Sequence, residues 1–147
     1  MRPTLFDHDR LDLYQVARQF KRQLRALLLL IPRGNADLLD QLKRAARSIT
    51  NNIAEASGKW TAPDKIHYFH IARGSATECA AILDECVDYG FLTEEQVRPA
   101  LETLSRVVAM LVKIILSLEE RGADMSSPKP KSPAAQNRPR PAKPPRH

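Results

Sequence analysis

The stretch "TAPDKIHYFHIARGSATECAAILDECVDYG", residues 61–90, decides the fold. Thr61-Ala62-Pro63-Asp64 has the form of a capping box, with a proline placed where the first helical turn tolerates it. Tyr89-Gly90 has the form of a helix stop. Between them apolar residues return every three or four positions, which predicts one long helix. At about 100° per residue they fall on two stripes. One holds Ile66, Phe69, Ala76, Ala80, Leu83 and Val87 with Arg73 in the same line; the other holds Tyr68, Ala72, Ser75, Cys79, Ile82 and Cys86. Together they exceed half of the circumference, more than one bundle interior normally takes. The excess predicts a second buried surface and therefore self-association. Gly74 lies on the remaining face with His67, His70, Thr77, Ala81 and Glu85. A glycine inside a helix costs about 1 kcal/mol against alanine. Its small neighbours Ala72, Ser75 and Ala76 predict close approach of another helix or subunit here.

The same periodicity predicts three further helices. Leu13, Ala17, Phe20, Leu24, Leu27 and Ile31 form the first apolar line, ended by Pro32 and Gly34. Leu38, Leu42, Ala45, Ile49, Ile53 and Ala56 form the second, ended by Gly58. Thr93-Glu94-Glu95-Gln96 is another capping box, followed by Val97, Leu101, Leu104, Val108, Leu111, Ile115 and Leu118 and closed by Gly122. Pro99 sits six residues past that cap and removes one helical hydrogen bond, so a bent first turn or a start nearer Arg98 is expected. No stretch alternates with period two for long enough to make a strand. The reading is all-α, an antiparallel up-down-up-down four-helix bundle over residues 11–122. Residues 1–10 are an N-terminal extension. Residues 123–147 hold seven of the eleven prolines and almost nothing that could be buried, which predicts a disordered basic tail.

Charge is unevenly spread. Residues 1–60 carry a net +5, residues 61–122 a net −4 and residues 123–147 a net +5, within a total of +6. A bipolar body of this kind can dock against copies of itself, and its basic parts can meet a polyanion. The N-terminus lacks an apolar core for a signal peptide, and the apolar stretch Leu27–Ile31 is far too short to span a membrane. Cys79 and Cys86 would lie about 10 Å apart on one helix, too far for a disulfide. Two buried thiols fit a cytoplasmic protein.

In "SITNNIAEASGKW", residues 48–60, Asn52 and Glu55 flank the apolar line and need polar partners. A guanidinium pairs bidentately with a carboxylate, so Asn52, Glu55, Arg73 and Ser75 are expected to form one cluster that sets the register of the second and third helices. Among the cations, Arg18, Arg22 and Arg25 share a face of the first helix, and Lys43, Arg44 and Arg47 share one on the second. Adjacent faces would make a positive strip for RNA or DNA phosphates. Trp60 and Tyr14 are the only aromatics placed to accompany it, which argues against reading bases by stacking.

Three motifs carry a family likeness: "QLKRAARSITNNIAEASGKW" (residues 41–60), "HYFHIARGSATE" (67–78) and "YGFLTEEQ" (89–96). In that order and spacing they resemble the four helix bundle protein family, also called the ribosomal-RNA intervening-sequence proteins. The family's marked positions fall on Ser48, Ile49, Asn52, Ile53, Ala54, Glu55, Gly58, Ile71, Ala72, Gly74, Ser75 and Glu78. Ala56-Ser57 departs from a glycine usual there, Lys59-Trp60 replaces a basic pair, and the proline-rich tail is outside the pattern. The resemblance implies a left-handed bundle assembled as a ring, a homopentamer. It also implies kinship with the accessory protein of diversity-generating retroelements, a basic pentamer that binds nucleic acid and a reverse transcriptase. It supplies no enzymatic activity.

The residues themselves offer little chemistry. His67, His70 and Glu78 lie on one side of the third helix, and His-x-x-His can contribute two metal ligands, but two histidines on a solvated face are ordinarily only that. Ser75 has no histidine within a turn, no serine-histidine-acid order is present, and no glycine loop cradles a phosphate. The expectation is a protein without cofactor or catalysis, a homo-oligomer serving nucleic acid or a ribonucleoprotein. The competing expectation is a scaffold whose ring or proline-rich tail grips another protein.

Overall fold

In a computed structural model that describes residues 6–126, with side chains to Gly122, four helices follow a short 3-10 turn at Asp7–Arg10. They are α1 (Asp12–Leu28), α2 (Ala36–Gly58), α3 (Ala62–Asp88) and α4 (Glu94–Ser126). The described residues contain no strand. α3 packs against α2 on one side and α4 on the other; α1 closes the ring, resting more extensively on α4 than on α2. The α1–α2 and α3–α4 links lie at one end of the bundle. The α2–α3 link shares the other end with the start of α1 and the last turns of α4.

Each helix has identifiable ends. Thr61 Oγ1 accepts from the Asp64 N–H at 3.3 Å and starts α3, and Pro63 stands in its first turn. Only this half of the expected capping box forms there. The box at α4 is complete: the Thr93 N–H donates to Gln96 Oε1 at 2.9 Å, and the Gln96 N–H to Thr93 Oγ1 at 3.1 Å. α3 ends in a Schellman motif, with Gly90 at φ +74°, its N–H on Val87 O at 2.9 Å and the Phe91 N–H on Cys86 O at 2.9 Å. α2 stops differently. Gly58 is not left-handed; the Lys65 ammonium reaches back to the carbonyls of Ala56 (3.2 Å) and Ser57 (3.3 Å).

Two boundaries differ from the sequence reading. α4 passes through Gly122 to Ser126, because a glycine stops a helix only when the chain takes up a left-handed turn there. α1 stops at Leu28, three residues short of Ile31 in its expected line. α4 begins at Glu94, directly after the expected Thr93 box, and keeps Pro99 inside it. The complete cap holds the first turn, and the Pro99 carbonyl accepts from Thr103 Oγ1 (3.0 Å) and Gln23 Nε2 (3.4 Å).

The apolar lines of all four helices converge. Phe20, Leu42, Ile49, Ile53, Leu83, Leu104 and Leu111 are fully buried. Each contributes about 1.5–3 kcal/mol of transfer free energy. On α3 the buried residues run from Ile82 through Cys79, Ala72 and Leu83 to Phe69. At 100° per residue that is one continuous arc of about 140°. Half of its residues are small (Ala72, Ser75, Ala76, Cys79), so α2 and α4 pack against it from either side and the arc is hidden within a single chain. The width of α3 therefore gives no reason for a second copy, which corrects the argument for self-association from its circumference. The bulkier residues left exposed are elsewhere: Leu29, Leu30 and Tyr89 at one end of the bundle, Phe6 and Trp60 at the other, and Ile71 and Leu116 on helix faces.

Candidate nucleic-acid interface

Residues four apart on a helix stack on one side of it. Lys21 and Arg25 do so on α1, and Lys43 and Arg47 do so on α2. The two pairs line opposite walls of one shallow groove of about 210 Å³ between these helices, floored by Leu24, Leu28 and Ala46. No carboxylate lines it. Lys21 Nζ donates to Thr50 Oγ1 at 3.5 Å, and none of the four cations is in an ion pair among the described residues. Four charges thus face one narrow strip without compensation, a local potential that attracts anions.

The sequence reading named three of these cations and missed Lys21, although Lys21 stands one turn before Arg25. The other named residues lie outside the groove lining. Arg18 is half-buried and donates to Gln15 Oε1 at 3.4 Å; Arg22 is exposed. Arg44 lies on the neighbouring flank of α2, toward α3. There it shares a groove of about 490 Å³ between α2 and α3 with Asp37, Asp40 and Glu78. Three carboxylates against one guanidinium make that groove acidic.

The polar contact between α2 and α3 centres on a residue outside the expected cluster. Ser48 Oγ and Ser75 Oγ share a hydrogen bond of 2.6 Å, and Asn52 Nδ2 donates to Ser48 Oγ (3.1 Å) and Ser48 O (2.8 Å). The Glu55–Arg73 pairing is not formed. Glu55 is exposed and lies 3.8 Å from Lys59, one turn on. Arg73 is exposed and makes no ion pair among the described residues. The reason is geometric: two positions apart on α3, Arg73 and Ser75 stand about 200° apart around the axis. Ser75 faces α2, so Arg73 cannot. Gly74 is exposed, with nothing within 4 Å of where a Cβ would sit, so no helix of this chain makes the expected close approach.

His67 and His70 are exposed, and among the described residues no three His, Cys, Asp or Glu side chains are grouped to hold a metal ion. Burial, and secondarily the Glu78 charge, pushes the Cys79 thiol up to about 12. Burial and then Glu85 raise Cys86 in the same way. Both thiols stay protonated and unreactive near neutrality. No described helix is long and apolar enough to cross a membrane.

The family model of the 23S rRNA-intervening sequence protein matches residues 9–113, from the 3-10 turn to the middle of α4. The chain belongs to the 23S rRNA-intervening sequence protein family. Among solved structures it is similar to a protein from Bacteroides thetaiotaomicron described as having unknown function and belonging to the S23 ribosomal protein family. The two share 22% identity and a TM-score of 0.65 over 70% of this chain and 97% of that one, a likeness of fold. No curated protein matches. The intervening-sequence family match leaves the last turns of α4 and residues 114–147 outside it.

Proposed function

We propose that this intervening-sequence family member is a non-catalytic homo-oligomeric accessory of nucleic acid or a ribonucleoprotein, and that the α1/α2 groove is where it meets the phosphate backbone. The observation that carries this reading is the set Lys21, Arg25, Lys43 and Arg47, four unpaired cations on one groove with no carboxylate in its lining. Phosphate binding needs such a strip and no base-reading group. Self-association would use the outer face of α3, where exposed Gly74 and Ala81 leave the backbone low beside Ile71. A ring would repeat the strip and multiply its affinity.

The test is binding of mixed-sequence RNA and DNA oligomers by fluorescence anisotropy across a salt series. The expected result is a log-linear loss of affinity with salt. The slope should flatten by about 0.7–0.9 for each phosphate contact removed in a Lys43→Glu, Arg47→Glu variant. Absence of binding at low salt, or affinity indifferent to salt, overturns it. Sedimentation velocity at micromolar concentration tests assembly, and a single-chain species removes that part. A protein partner is favoured by a different observation, the exposed Leu29, Leu30 and Tyr89 at one end of the bundle. Their apolar contact would be nearly blind to salt.

A further inference from the structure

We propose that Trp60 is the docking point for this chain's own proline- and arginine-rich segment "RPRPAKPPR", residues 138–146. Trp60 is 96% exposed and makes no ring contact among the described residues. Its placement is nevertheless fixed. The Lys59 N–H closes on Ala56 O at 3.2 Å, Lys65 ties down the end of α2, and Thr61 caps α3 on the other side. A rigid turn thus presents a whole indole to its surroundings, although burying such a ring is strongly favourable.

The choice of occupant rests on position and chemistry. Ser57, Lys65 and Phe69, which bracket Trp60 in sequence, line one cavity together with Leu118 and Arg121, so α4 ends at the same end of the bundle. The twelve residues from Ser126 to Arg138 can reach about 37 Å at 3.1 Å per residue. That exceeds the roughly 20 Å width of two packed helices. A tether of this length keeps the segment at about millimolar local concentration, so even a weak contact would be populated. Proline-rich sequences lose little entropy on docking and pack their rings on aromatic faces, and guanidinium groups stack there too. Asp64, exposed in the first turn of α3 and free of ion pairs among the described residues, offers a carboxylate for one of the arginines. A nucleic-acid base is disfavoured at this site because the two nearest cations are engaged. Lys59 lies 3.8 Å from Glu55 and over the Tyr68 ring, and Lys65 is on the α2 carbonyls.

Trp60 is the only tryptophan, so its fluorescence reports this contact alone. Acrylamide quenching is measured on the full-length protein and on a full-length variant with Arg138, Pro139, Arg140, Pro141, Pro144 and Pro145 replaced by serine. Far-ultraviolet circular dichroism verifies that both keep the bundle. The expected result is a quenching constant at least two-fold higher in the variant, reduced again by adding a synthetic peptide of residues 127–147 at millimolar concentration. Equal, fully exposed quenching in both proteins overturns the proposal. So does protection that vanishes on dilution, which would make the contact one between copies, or protection that arises only when RNA is added.

Discussion

Removing the Ser75 hydroxyl is the most direct trial of how α2 and α3 are locked together. Ser75 is buried, and its hydrogen bond is the 2.6 Å contact with Ser48. Ser75→Ala therefore forfeits one neutral hydrogen bond, a net cost of about 1 kcal/mol. No orphan is left behind, because Ser48 Oγ keeps the Asn52 Nδ2 donor and is only half-buried. Ser48→Ala breaks the bonds to Ser75 and to Asn52, while Asn52 retains the Ser48 carbonyl at 2.8 Å. Its cost is about 1–2 kcal/mol. The double variant should cost little more than Ser48→Ala alone, a coupling of about 1 kcal/mol. Glu55→Gln and Arg73→Ala, both at exposed positions, should each stay within about 0.5 kcal/mol. Urea unfolding followed by circular dichroism gives all five values, and a 1 kcal/mol loss corresponds to about 4 °C in Tm. An Arg73→Ala cost equal to that of Ser75→Ala, or a coupling of zero, would refute the assignment of the lock to the two hydroxyls.

Gly74→Ala should stabilise the isolated chain by about 0.5–1 kcal/mol, since open space surrounds the added methyl and the helix gains propensity; a loss that grows with protein concentration would instead locate a contact between copies there. Leu83→Ala, at a fully buried position in the middle of the α3 arc, should cost about 2–5 kcal/mol in the same urea experiment, and a cost below 1 kcal/mol would contradict its burial. Cys79 should resist thiol reagents at pH 8 until denaturant is added; a rapid phase in native protein would contradict a thiol held up to about 12. The same shift fixes a sign. Above the ordinary thiol value of 9.0 the unfolded chain releases this proton and the folded chain keeps it, so stability should fall as pH rises from 9.

Helices, their spacing and nearly all of the interior were legible because threefold-fourfold apolar recurrence and cap residues are local signals. Phe20, Leu42 and Leu83 stand in the apolar lines that periodicity alone defines, and all are fully buried. What was not legible depended on which neighbour faces which side. A helical wheel places Arg73 beside the apolar line of α3 but does not say that α2 lies on the Ser75 side. The same gap turned one 140° arc into two apparent surfaces, since only the packed structure reveals that small residues let two helices share it. In the groove, helical spacing picks out Arg25, Lys43 and Arg47, whereas a face drawn through Arg18 and Arg22 passes Lys21 by. Gly122 misled for a related reason: a glycine is permission to turn, and the following residues decide whether the chain does so.

The seam between α1 and α2 has a consequence for handling this molecule. It is the side on which α1 has the lesser grip, and the same seam carries four like charges. Unneutralised, they push the two helices apart, so this joint should be first to breathe in hydrogen exchange. A polyanion laid along it would act as a latch, raising the melting temperature with the logarithm of its concentration over its dissociation constant. Heparin, polyphosphate and short RNAs could therefore be ranked by melting curves alone, without labelling either partner.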